Sequence, residues 1–114
     1  MATTSVTETK VNAKSSSLGE HGEKFLACGS HIGMRLWEDE QPGEPKEPSQ
    51  RDYETVGFVL KGRAELHLNG GVIPLNPGDS WIVPKGAHHT YKILETFSAI
   101  EATCPPAQKE GSRH

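Results

Sequence analysis

Two adjacent histidines, His88 and His89, follow a sharp turn in the second half of the chain and are the first residues whose types suggest chemistry. They end the segment GDSWIVPKGAHH, which combines a Gly-Asp turn, an apolar run and a Pro-Lys-Gly corner. Imidazole side chains serve as metal ligands, general bases and proton-sensitive groups. Because side chains alternate along a strand, two neighbouring histidines point to opposite faces, so this pair is not expected to supply two ligands to one site.

The remaining histidines and the cysteines show none of the spacings that mark common metal or redox sites. The six histidines contain no HExxH, HxH or HxxxH pattern. Cys28 and Cys104 lie far apart without a CxxC spacing, and although a folded barrel could pair them, we interpret them as reduced thiols. Free cysteines of this kind are usually small buried apolar residues.

Length and charge restrict the class of protein. A chain of 114 residues suits one domain with a modest core, and its net charge of −3 gives no electrostatic reason to expect nucleic acid. No apolar run approaches the roughly 20 residues that span a membrane, and the polar N-terminus does not suggest a secretory signal. We therefore expect a cytoplasmic protein without a nucleic-acid or membrane partner.

Composition divides the chain into three parts. Residues 1–20 are rich in Thr, Ser, Lys and Glu, which predicts a disordered N-terminal arm. Residues 21–104 carry the apolar segments of the domain, and residues 105–114 resemble the arm and are predicted to be a flexible tail.

The elements that position the histidines are predicted to be β-strands, because short apolar or alternating runs are separated by Gly and Pro. In RAELHLNGG, Ala64, Leu66 and Leu68 fall on one face, and the NGG ending indicates a tight hairpin. No segment shows a sustained helical period. About eight strands are predicted, in KFLACG, HIGMRLW, ETVGFVLKG, RAELHLNGG, VIPL, SWIVP, HHTYKI and TFSAIEAT. The fold class is therefore all-β, a closed barrel or a two-sheet sandwich.

The segment that ends in the two histidines resembles the second sequence motif of the cupins, which runs Gly, five residues, Pro, one residue, Gly, two residues, His. Gly78, Pro84, Gly86 and His89 stand in that register, whereas Ile93 replaces the asparagine of the motif. The resemblance implies a small single-domain member of the RmlC-like cupin superfamily, with a double-stranded β-helix or jelly-roll barrel. It also implies that His89 points into the barrel and that the protein forms a homodimer.

The first cupin motif is recognisable by its glycines, Gly43 and Gly62, but not by its ligands. In cupin metal enzymes, two imidazoles and a carboxylate occupy the positions that are Ser49, Arg51 and Thr55 here. Two hydroxyls and a guanidinium cannot replace them, since Arg51 stays protonated and offers no lone pair. We therefore expect no metal cofactor.

One arrangement would restore part of a divalent metal site. Glu54 precedes the expected carboxylate position by one residue, and a β-bulge would turn it inward beside His89. These two side chains would still be fewer than the three or four ligands that zinc-type sites use.

The leading functional hypothesis is a metal-independent protein that binds a small molecule, in particular a carboxylate. The expected ligand-binding residues are Arg51, Thr55, His89 and Tyr91, in an electropositive cavity where Arg51 grips the anion by its bidentate fork. Alternatively, Arg51 pairs with an acidic neighbour on the surface and His89 is a core imidazole bonded to Tyr91, Thr55 or a backbone carbonyl.

Two other functions remain open, and the sequence does not decide whether the protein is an enzyme. One is a metal-dependent cupin oxygenase, isomerase or lyase with a non-standard ligand set. The other is a barrel that is filled by its own side chains and serves only in oligomerisation. Cupin folds host many unrelated chemistries, so the fold does not choose among these hypotheses.

Overall fold

The computed structural model describes residues 9–108 and consists of eight antiparallel β-strands, with a single 3-10 turn at Ala13–Ser15. The strands are β1 (Lys24–Cys28), β2 (Gly33–Glu40), β3 (Glu54–Lys61), β4 (Ala64–Leu68), β5 (Gly71–Leu75), β6 (Ser80–Val83), β7 (His89–Ile93) and β8 (Phe97–Cys104). Each predicted strand segment overlaps one of them, which confirms the all-β prediction.

The strands form two sheets that face each other as in a jelly roll. The larger sheet has the order β1-β2-β8-β3-β6, and the smaller one has the order β5-β4-β7. All of the strand pairs are antiparallel. Strand β8 lies between β2 and β3, so residues from distant parts of the chain lie side by side in the larger sheet. Closing the strands into two packed layers buries one face of each sheet against the other.

The core lies between the sheets at the end where β4 meets β3 and β8. Ala64 and Leu66 are buried, as the alternation in RAELHL predicts. Glu65 and His67, on the other face, are partly exposed, and His67 Nε2 lies 3.0 Å from Glu65 Oε1. The full set of packed core residues is Val59, Ala64, Leu66, Leu75, Trp81, Val83, Phe97 and Ala99. Each buried aliphatic side chain contributes about 1.5–3 kcal/mol of transfer free energy.

The hairpin between β4 and β5 has the geometry that the NGG sequence predicts. Asn69 and Gly70 both have positive φ angles, 48° and 87°, as a type I′ turn requires. Gly86, at the corner before β7, also has a positive φ of 82°. A residue with a side chain is strained in this conformation, so glycine allows the turn that leads into β7 at His89.

The cysteines and the chain ends differ from what composition suggests. Cys28 and Cys104 are exposed free thiols, so the expectation that they are buried is wrong. Pro106 and Ala107 are buried, and the Ala107 N–H donates to the Thr103 hydroxyl over 2.7 Å. The described start of the predicted tail therefore packs on the domain, whereas residues 1–8 and 109–114 lie outside the described residues. The three-part division of the chain remains a prediction.

Within residues 9–108 there is no helix long and apolar enough to cross a membrane.

Candidate functional site

An open cavity of about 1210 Å³ lies between the two sheets. Six of the chain's seven Phe, Tyr and Trp residues line it, namely Phe25, Trp37, Tyr53, Trp81, Tyr91 and Phe97. A space of this size exceeds what a small ligand needs. The barrel is therefore not filled by its own side chains, which argues against a purely oligomeric role.

The two histidines of the second motif lie on opposite sides of the smaller sheet. His89 is half-buried and lines the cavity, with its ring centroid 5.8 Å from that of Tyr91 in an edge-to-face arrangement. Its Nδ1 lies 3.2 Å from the carbonyl oxygen of Ala87. His88 is exposed and lines a separate shallow pocket beside His67. The alternation rule thus holds, and the pair is not a two-histidine ligand set.

The loop that replaces the first-motif ligands runs beside β7 and fixes Arg51 at the cavity mouth. Ser49 and His89 exchange backbone hydrogen bonds of 2.9 and 3.0 Å, and the Gly86 N–H donates to the Arg51 carbonyl over 2.9 Å. Arg51 lines the cavity, but its side chain is exposed. Within residues 9–108 it forms no ion pair, so the alternative of a surface pair with Asp52 or Glu54 does not occur.

Thr55 and Glu54 are not brought to the cavity. Thr55 is 3 % exposed and lies on β3 between β6 and β8, away from the cavity lining. Glu54 is exposed on the opposite face, because the pairing of β3 with β8 is regular from Glu54 to Val59 and contains no bulge there. The prediction that Thr55 contacts the ligand therefore needs correction, since the buried hydroxyl packs inside the larger sheet.

The donor set does not fit a divalent metal ion. Over the described part of the chain, no group of three His, Cys, Asp or Glu side chains is placed to hold one. The imidazole of His89 stands without the other nitrogen or carboxylate ligands that a zinc-type site needs. The hydroxyls and the guanidinium at the first-motif positions do not supply them.

The cavity contains a buried ion pair, Arg35 with Glu101, that sequence reasoning missed. Arg35 Nε donates to Glu101 Oε1 over 2.6 Å, and Trp37 Nε1 donates to the same oxygen over 2.7 Å. The Tyr91 hydroxyl donates to Glu101 Oε2 over 3.4 Å and accepts from Trp81 Nε1 over 3.1 Å. The side chains of Arg35 and Glu101 are 12 % and 2 % exposed. This network joins β2, β6 and β8 of the larger sheet to β7 of the smaller one.

Burial and charge set the protonation of the network. Burial is the largest influence on Arg35 and opposes its charged form, but the charge and hydrogen bonds of Glu101 and Tyr53 together outweigh burial and raise the pKa of the guanidinium. The face of the guanidinium also covers the rings of Trp37 and Tyr53, at 5.3 and 5.6 Å from their centroids. Burial, followed by the charge of Glu101, raises the pKa of Tyr91 well above its usual value. Tyr91 therefore stays a neutral phenol that donates a hydrogen bond.

The signal for this pair is present in the sequence but is ambiguous there. Arg35 alternates with apolar neighbours on β2, and Glu101 does so on β8, so each resembles an outward-facing polar residue. In the structure they are direct cross-strand partners, 66 positions apart along the chain. Trp37, on the same face as Arg35, is the one local hint that this face is the buried one.

The charge of the cavity differs from the electropositive character that we predict from Arg51 and His89. Acidic residues outnumber Arg and Lys in the lining. The acidic residues are Glu20, Glu23, Glu40, Glu44, Glu47, Asp52 and Glu101, and the basic residues are Arg35, Lys46 and Arg51. The prediction is wrong for the cavity as a whole.

Comparison with known proteins identifies the family. The cupin domain family matches residues 36–101, which contain both the first-motif frame and the second motif. The chain belongs to the cupin family. This result confirms the resemblance of the GDSWIVPKGAHH segment and the jelly-roll prediction.

Solved cupin structures share the fold. The structure of KdgF from Halomonas sp. is 24% identical, with a TM-score of 0.72, covering 84% of this chain and 91% of that one. An RmlC-like cupin from Shewanella frigidimarina is 16% identical, with a TM-score of 0.75, covering 88% and 93%. An uncharacterized protein of Aquifex aeolicus is 36% identical over 56 residues, 49% of this chain and 46% of that relative. Because the sequence identities to the two solved structures are below 25%, these similarities show that the fold is shared and nothing further.

Proposed function

We propose that this cupin binds a small carboxylate-bearing molecule in its cavity without a metal ion. The observation that carries the proposal is the placement of Arg51 beside His89 at the mouth of an aromatic cavity. An exposed guanidinium with no ion-pair partner within the described residues is free to form a bidentate pair with a carboxylate. The ring of Tyr91 lies next to His89 on the same wall, and its neutral phenol adds no negative charge near a bound carboxylate.

Carboxylates are favoured over larger anions because the positive groups are few and local. The acidic residues around the rest of the lining oppose a ligand whose negative charge is spread over its length. The aromatic walls contribute apolar contact to the remainder of the molecule. The ligand is thus expected to carry its charge at one end.

A thermal-shift screen tests this function. Small carboxylates should raise the melting temperature, whereas the matching carboxamides should not, since a ligand at 100 times its Kd stabilises a protein by about 2.7 kcal/mol. Arg51→Ala should abolish the effect and Lys85→Ala, at the exposed corner before β7, should preserve it. Equal shifts for acids and amides, or shifts that survive Arg51→Ala, would contradict carboxylate recognition.

Elemental analysis separates this function from that of a metal enzyme. Protein purified without an affinity tag should contain far less than one equivalent of Mn, Fe, Ni or Zn, because the donor set does not fit such an ion. One equivalent of metal that disappears in His89→Ala would refute metal independence.

We also propose that two copies pair through the outer face of the larger sheet. Val56, Phe58 and Leu60 on β3 and Ile82 on β6 are 46–50 % exposed and lie on that face. Half-exposed apolar residues on neighbouring strands form a patch typical of a contact surface. A second copy is the occupant that fits, because the patch is uncharged and matches its own surface about a two-fold axis.

Light scattering measures this association directly. Phe58→Glu should convert the dimer into a monomer without loss of fold, because the side chain is half-exposed. Val72→Glu, at a somewhat more exposed apolar position on the smaller sheet, is the control and should remain dimeric. A wild-type protein that is monomeric at all concentrations would refute the dimer.

A further inference from the structure

The Arg35 guanidinium has hydrogen-bond donors that the protein does not use. Its Nε binds Glu101, and its Nη1 reaches only the Tyr53 hydroxyl at 3.5 Å. A guanidinium has five N–H donors, so most of the terminal ones remain. Among the described residues, the only buried side-chain nitrogen or oxygen atom without a partner belongs to Gln108. The unused donors of Arg35 are therefore open to the cavity that this residue lines.

Glu101 offers a complementary acceptor beside these donors. Its Oε1 already accepts from Arg35 and Trp37, whereas Oε2 has only the long contact of 3.4 Å with Tyr91. A carboxylate oxygen accepts about two hydrogen bonds, so Oε2 retains capacity. Glu101 is nearly fully buried yet lines the cavity, so a group that enters the cavity can reach it.

We propose that Arg35 and Glu101 form a second recognition point of the cavity and take a hydroxyl group of the ligand. The hydroxyl oxygen accepts from a terminal N–H of Arg35, and its proton is donated to Glu101 Oε2. This inference rests on the proposed carboxylate-binding function and makes the ligand a hydroxy-carboxylate.

The charges of the pair select a neutral group at this point. A carboxylate placed there would meet the negative charge of Glu101, and an ammonium would meet the positive charge of Arg35. A hydroxyl is uncharged and both donates and accepts, so it satisfies the two side chains together. The Tyr91 phenol, whose pKa is raised, stays protonated alongside and does not add a negative charge.

Strand geometry sets the distance between the two ends of the ligand. His89, at the carboxylate end, and Tyr91, which contacts Glu101, are two residues apart on β7. A strand rises about 3.3 Å per residue, so the two recognition points are about 6–7 Å apart along it. The rings of Tyr91 and Trp81 form the wall at this level. A flat ring with its carboxylate and hydroxyl at opposite ends fits this spacing.

Isothermal titration with benzoate, para-hydroxybenzoate and ortho-hydroxybenzoate tests the inference. The para isomer should bind wild-type protein at least about tenfold more tightly than benzoate, because hydrogen bonds to charged groups are the stronger ones. The ortho isomer, whose hydroxyl lies next to the carboxylate, should show no such gain. Glu101→Gln should remove the advantage of the para isomer, measured as the ratio of its affinity to that of benzoate in the same variant.

Two further variants guard against misfolding and charge effects. The double variant Arg35→Met with Glu101→Leu removes both charges together, and it should also lose the para preference while remaining folded. Glu54→Gln, at an exposed carboxylate on the outer face, should retain that preference.

The outcomes separate this inference from the proposed function. If the para isomer binds no better than benzoate while Arg51→Ala weakens both, carboxylate binding stands and the hydroxyl site is refuted. If none of the three compounds binds, both proposals fail. A para preference that persists in both Glu101→Gln and the double variant also refutes the role of this pair.

Discussion

Removing one partner of the Arg35–Glu101 pair should cost far more stability than removing both. Glu101→Leu leaves the buried Arg35 without the carboxylate 2.6 Å away and takes the acceptor from Trp37 Nε1 at 2.7 Å. Breaking a buried ion pair on one side typically costs about 3–5 kcal/mol. A domain of this size has about 5–15 kcal/mol of stability in total, so the single variant should be severely destabilised.

The double variant Arg35→Met with Glu101→Leu should recover most of this loss. Apolar side chains of similar volume often replace a buried ion pair at little cost, because the desolvation penalty of both charges disappears. Urea unfolding followed by tryptophan fluorescence measures the difference. With a slope of about 1–3 kcal/mol per molar urea, Glu101→Leu should lower the midpoint by at least about 1 M, and the double variant by much less.

The coupling between the two positions is the decisive quantity. If the double variant loses about the sum of the two single losses, the side chains act independently and the account of a coupled buried pair is wrong. Glu38→Leu provides a comparison, since its ion pair with Lys24 is partly exposed and should contribute no more than about 1 kcal/mol.

Three other outcomes follow from the structure. Gly57→Ala should lower the free energy of unfolding by about 1–3 kcal/mol and shift tryptophan emission, because a methyl group there overlaps the ring of Trp81. Gly43 has open space around it, so Gly43→Ala should leave the free energy of unfolding unchanged in the same assay. Tyr91 has a raised folded pKa, so its stabilising contribution is complete below the unfolded value near 10 and is lost as pH rises above it. Absorbance at 295 nm should therefore show no ionisation of Tyr91 near pH 10 while the protein is folded. If the folded wild-type protein shows a tyrosine ionisation near pH 10 that Tyr91→Phe lacks, the burial argument is contradicted. Asn69→Ala should cost about 1 kcal/mol by thermal unfolding, since Asn69 has a φ of 48° and its side chain accepts a backbone N–H, while Asn69→Gly should retain the turn. Equal losses for these two substitutions would refute the conformational explanation.

Local sequence rules determined the strands and turns of this protein. The eight predicted segments are the eight strands, and the Asn-Gly hairpin forms where expected, because alternation and turn preferences act over a few neighbouring residues. The same alternation separates His88 from His89, and the second motif identifies the family.

The tertiary structure decided which polar residues share the cavity. Arg35 and Glu101 meet only because β2 and β8 are neighbours in the larger sheet. Thr55 is buried on β3 and does not line the cavity. A charged residue in an alternating strand is predicted from the local sequence to face solvent, because burying an unpaired charge is costly in free energy. That cost is offset here by a partner 66 positions away, and such a pairing depends on strand order, which no local pattern contains.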